Sequence, residues 1–149
     1  MADKKSDIEL EKFLQELRVM IPGVEVLFAF LLTVPFTERF AKVTDIQRGV
    51  YYIALVGAAL STAFLISPGI HHRLRWHEDA SEKVMSTGNK LVITGILFLC
   101  VTVTSVLFVI TDLLFGRPAA SAAAGLAAAG LAGLWFVVPL IARARDGHT

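Results

Sequence analysis

Lys90–Leu114 reads KLVITGILFLCVTVTSVLFVITDLL. Valine, isoleucine and threonine crowd it, and in water a short run of such residues suits a buried strand. Length decides against that. Strands of globular domains usually end within about ten residues, whereas a helix needs about 20 apolar residues to cross a bilayer core of roughly 30 Å. We therefore read Lys90–Leu114 as a membrane-spanning helix. Three further runs of comparable length accompany it, at about residues 21–40, 49–70 and 119–142.

The rest of the 149-residue chain is small. Hydrophobic residues make up 55% and charged residues 18%, against roughly 25% charged in a soluble domain. The mean hydropathy is +0.65. The expected fold class is all-α: an integral membrane bundle of four transmembrane helices. An N-terminal amphipathic helix over residues 1–20 precedes the membrane domain of residues 21–145, and residues 146–149 form a tail. The formal charge of +1 and the lack of a Lys/Arg cluster interleaved with aromatics argue against a nucleic-acid partner. Cys100 is the only cysteine. It has no disulfide partner within the chain, completes no metal-ligand pattern, and reads as a small packing residue.

The N-terminal segment lacks the apolar core and cleavage site of a signal peptide, so the first span is expected to remain as an anchor. Ser6 and Glu9 have capping-box spacing. Leu10, Phe13, Leu14, Leu17 and Ile21 recur at three- and four-residue steps, which makes one apolar stripe. Such a helix lies in the membrane interface or packs on the bundle; a gating or docking role is the sharper alternative. Pro22 marks an expected turn into the membrane, and Pro35 should kink or end the first span. In the second span Tyr51 and Tyr52 suit the interface. Ala54, Ala58 and Thr62, like Gly57 and Ser61, have the spacing that lets a second helix approach closely. Ser67-Pro68-Gly69 should weaken that helix near its far end. Gly116-Arg117-Pro118 makes a tight turn before the last span.

Basic residues set the orientation. Lys4, Lys5, Lys12, Arg18, Arg73, Arg75, Lys83, Lys90, Arg143 and Arg145 fall on one side. Arg39, Lys42, Arg48 and Arg117 fall on the other. The bias places both termini in the cytoplasm of a bacterium, with the chain in its inner membrane.

Glu25 is the first candidate for chemistry, because an ionised carboxylate inside a span is costly. It reads as half of a structural ion pair, with His71, Arg73, Lys90 and Arg143 as candidate partners, or as a proton or cation site. Thr87, Lys90, Thr94, Thr102, Ser105 and Asp112 share a narrow arc at 100° per residue. That arc reads as hydroxyls bonding the preceding turn and gluing helices together, or as a hydrated path from Asp112 to Lys90 and Glu25. Ser121, Gly125, Ala129 and Gly133 form a small-residue face at four-residue steps, suited to packing inside the chain or to a homo-oligomer interface. His71, His72 and His77 are poorly aligned as metal ligands. His72, Arg73, Arg75 and Trp76 read instead as an anchor to anionic lipid and the interface. With no Gly-rich phosphate loop, nucleophile elbow or paired metal motif, neither cofactor, metal nor enzymatic activity is expected.

Glu16-Leu17-Arg18-Val19, Gly23, and Leu27-Phe28-Ala29-Phe30-Leu31-Leu32-Thr33-Val34-Pro35-Phe36 resemble a family of small bacterial membrane proteins of unknown function, common in actinobacteria. The resemblance continues through Gln47-Arg48, Val50-Tyr51, Pro68 and His72-Arg73-Leu74. It covers most of the chain and is most specific in the first half. Members are sometimes labelled sodium:proton antiporters, which implies cation-coupled transport but supplies no site residues. Many look to have an uncharged polar residue where Glu25 stands here. Two functions follow as expectations: a small, oligomeric ion- or proton-linked transport module carried by Glu25, Lys90, Asp112 and the hydroxyl stripe, or an accessory membrane protein that binds a larger complex or lipid.

Overall fold

The computed structural model describes residues 2–74 and 81–137. Four α-helices account for nearly all of them: α1 (Ala2–Thr33), α2 (Asp45–Leu74), α3 (Ser81–Phe115) and α4 (Arg117–Ala132). There is no strand among the described residues. Each helix contains a stretch long and apolar enough to cross a membrane: Gln15–Phe36, Asp45–Ile70, Thr87–Phe115 and Arg117–Trp135.

The prolines act unequally. Pro22 and Pro68 lie inside α1 and α2, and both helices run through them. A proline removes one backbone bond, but an apolar setting offers the chain no water as an alternative partner, so the helix continues. The turn expected at Pro22 is therefore absent, and residues 2–33 form one helix. At Pro35 the helix does end. A 3₁₀ turn, Val34–Phe36, follows α1, and a second, Phe40–Lys42, leads towards α2. α3 passes to α4 through Gly116, whose φ of +84° is readily open only to glycine. A π-helical turn, Gly133–Val137, extends α4.

The helices lie side by side in a row. α2 packs extensively on α3, α1 leans on α2 and only grazes α3, and α4 meets α3 alone among the described helices. Nothing described joins α4 to α1, so the row is open at both edges.

Two apolar clusters stack along it. Near one end Leu17 and Val24 of α1 pack with Leu65 of α2 and Val92 of α3. Nearer the other, Leu31 packs with Tyr51, Ala54 and Ala58. Leu17, Val24 and Leu31 are seven residues apart, the repeat that keeps one face of a helix turned to its neighbour.

The tightest seam is α2 against α3. Ala54, Ala58 and Ser61 are fully buried, with Gly57 among them. A Cβ on Gly57 would stand 2.6 Å from Thr102 Oγ1, and one on Gly95 would stand 3.0 Å from the Leu65 side chain. Glycine at both positions is what lets the two backbones come so close. Phe64 and Phe98 stack across the seam with ring centroids 5.6 Å apart.

Candidate functional site

The polar residues of the spans separate into three places. The first is the α2–α3 seam, where hydroxyls are spent on backbone carbonyls. Ser61 Oγ donates to the Gly95 carbonyl at 2.8 Å. Thr102 Oγ1 lies 2.9 Å from the Phe98 carbonyl in its own helix and 3.3 Å from that of Ala54 across the seam. Thr94 donates back to the Lys90 carbonyl at 2.9 Å, and Thr62 to that of Ala58 at 3.0 Å. The Tyr51 hydroxyl donates to the Leu31 carbonyl, tying α2 to α1. Where no water competes, such bonds fasten one helix to the next. Ser105 is buried, while Thr87 and Lys90 on the same arc are exposed. The arc is therefore not one continuous lining. The Thr104 hydroxyl oxygen is buried without a hydrogen-bond partner among the described residues.

The second place is the end of the row where α2 begins. Thr44 and Gln47 form a reciprocal capping box: the Gln47 amide nitrogen donates to Thr44 Oγ1 at 3.3 Å, and the Thr44 amide donates to Gln47 Oε1 at 2.9 Å. The remaining end of the glutamine, Nε2, donates to Asp112 Oδ2 of α3 at 2.8 Å. Arg117, at the head of α4, lies 3.8 Å from the same carboxylate oxygen. One side chain thus caps α2 and pins it to α3, with the Asp112 side chain only 6% exposed. Sequence reading passed over Gln47. Its signal was the Thr-x-x-Gln spacing, which marks a helix start.

The third place is the outer surface. Glu25 follows Val24, so it lies about 100° round α1 from the Leu17–Val24–Leu31 seam, and it is exposed. It is roughly 15 Å from either end of its apolar stretch, Gln15–Phe36, at the helical rise per residue. No ion pair or hydrogen bond holds it among the described residues. A charge at such depth costs about 2.5–3.5 kcal/mol on insertion scales. Lys90 is likewise exposed and in no ion pair among the described residues. The structure does not bring Glu25, Lys90 and Asp112 together.

On α4, Ser121, Gly125 and Ala129 are exposed, and nothing lies within 4 Å of a Cβ built on Gly125 or Gly133. α4 instead turns alanines inward, with Ala120 fully buried. The His72, Arg73, Arg75 and Trp76 side chains lie outside the described residues.

A family model matches residues 1–139, and its description is a family of unknown function, DUF6328. The chain belongs to that family. The DUF6328 match runs through all four apolar helices and assigns no activity. A search of curated proteins and of solved structures finds no match.

Proposed function

We propose that this DUF6328 protein is a laterally associating, non-enzymatic subunit of a bacterial inner membrane, with both termini cytoplasmic and no transport path of its own. The observation that carries this reading is the open row. α1 and α4 are edge helices, and each leaves bare a face that a partner in the membrane would cover. On α1 that face holds a carboxylate deep in an apolar stretch. On α4 it holds the small-residue steps that allow close helix contact. Of the hydroxyls that a hydrated path would use, Thr94 and Thr102 are engaged with carbonyls, and Asp112 is engaged with Gln47 and Arg117.

The second reading is ion- or proton-linked transport. One observation favours it: Glu25 stands without a described partner far from either end of its span. Purified protein in liposomes discriminates the two. Internal pH is followed under imposed sodium, potassium and proton gradients, for wild type and for Glu25→Gln. Association predicts no flux above empty liposomes from either protein. A cation-dependent flux that Glu25→Gln abolishes would make transport the function.

A further inference from the structure

Resting on the lateral association proposed above, we propose that the α1 edge receives a transmembrane helix of a different protein, which pairs one lysine or arginine at mid-membrane depth with Glu25. Depth singles this residue out. Glu25 is ten residues from Gln15 and eleven from Phe36, the ends of its apolar stretch. Every other charged side chain in the four stretches stands within three residues of an end. Those near an end extend to headgroups or water. Glu25 has a short stem and roughly 15 Å to cover in either direction. It is exposed and in no ion pair among the described residues.

The same distribution rules out a second copy as the source of the cation. The basic residues in the four stretches are Arg18, Arg48, Lys90 and Arg117, all near an end. Arg18 is about 10 Å from Glu25 along the axis of α1. The packed clusters that take in Val24 and Leu31 meet α2 between Ala58 and Leu65, and residues 58–65 carry no charge. Copies inserted alike therefore bring no cation to the level of Glu25. Inverting one copy exchanges the two ends and leaves the middle as bare. Among the described residues, the opposite charge has to come from another chain.

The surroundings suit a helix. Pro22 and Ala29 stand about one turn to either side of Glu25, both exposed and compact. A Cβ on Gly23 would meet nothing within 4 Å. Such low neighbours let a second backbone come close enough for its side chain to reach the carboxylate. A lone lysine or arginine at mid-membrane bears the same kind of cost as Glu25. One contact between the two helices relieves both.

The test uses the full chain with Cys100→Ala, labelled with a donor fluorophore at Asp3→Cys and reconstituted in phosphatidylcholine vesicles. The probes are synthetic leucine–alanine transmembrane helices carrying an acceptor. One has a lysine at its centre, one has that lysine moved roughly two turns towards an end, and one has leucine in its place. Energy transfer against peptide density reads the association. The centred lysine should associate about tenfold more strongly than the other two. Glu25→Gln should abolish that preference. Glu25→Asp should retain part of it, and Arg18→Gln should leave it unchanged.

Equal association of all three peptides would overturn the proposal, as would a centred-lysine preference that survives Glu25→Gln. So would association between copies that Glu25→Gln weakens, with no preference among the peptides; the occupant would then be a second copy. If the peptides are not distinguished while association between copies sensitive to Gly125→Leu persists, the wider reading survives and this partner does not. If neither peptides nor copies associate, both fall.

Discussion

Gln47 shows how much one side chain can hold when water is scarce. Its carbonyl oxygen closes the capping box of α2, and its amide nitrogen reaches the Asp112 carboxylate. Gln47→Ala removes both and leaves Asp112 with a more distant arginine. The expected loss is about 1–2 kcal/mol, read as a lower denaturation midpoint of the purified protein in detergent. Asp112→Asn keeps an oxygen that accepts the same bond and should cost less. Gly57 makes the opposite case, a position where one added atom is too many. With Thr102 Oγ1 2.6 Å from the new Cβ, Gly57→Ala should destabilise by about 1–3 kcal/mol through overpacking. Thr102→Ala in the same chain should recover part of that loss, and the four midpoints of the cycle give the coupling. The sequence allowed half of this to be read. Gly57 and Ser61 announced a small-residue face, and Thr102 a hydroxyl able to bond a neighbouring helix, whereas Tyr51, expected at the membrane interface, is buried against α1. Which carbonyls would accept from them depended on the register of α2 against α3, and no local pattern sets that register.

Helices α1 and α4 mark where periodicity stops being informative. In α1 the heptad of Leu17, Val24 and Leu31 points to one buried stripe, and Glu25 falls about 100° round the helix from it, where it is exposed. The proline at position 22 suggested a break, but the helix runs through it. In α4 eleven of the 16 residues are alanine or glycine, so several faces have the size for close packing. The alanine row around Ala120 meets α3, and the row through Ser121, Gly125 and Ala129 stays bare. Gly125→Leu therefore enters open space. Folded stability should change by no more than about 0.5 kcal/mol, while association through that face should weaken clearly. Denaturation midpoints and energy transfer between labelled copies, measured on the same preparations, separate the two effects.

Across the assembled chain, four apolar helices require an even number of crossings if each spans the membrane, and the basic residues then assign the sides. The corresponding prediction concerns labelling of intact cells in a Cys100→Ala background. Thr44→Cys and Arg117→Cys should react with an impermeant maleimide from outside, and Asp3→Cys only after permeabilisation. Reaction of Asp3→Cys in intact cells would reverse the orientation or change the number of crossings. The open row also has a consequence for stability. α4 is held by α3 alone among the described helices, so local opening should begin there rather than at the α2–α3 seam.

Four helices could be read directly from the residue order, because a run of about 20 apolar residues has few other stable conformations in a membrane. The glycine turn at Gly116 and the end of α1 before Pro35 were equally local, since each follows from what one residue's backbone can adopt. The neighbours of each helix were not local. Lipid-facing and protein-facing surfaces are both apolar, so hydropathy does not distinguish them. Close approach of α2 and α3 depended on Gly57 and Gly95 meeting across the seam, a relation between positions far apart in the chain. That geometry spent the Ser61 and Thr102 hydroxyls on carbonyls, and the placing of the helices in an open row left Glu25 exposed.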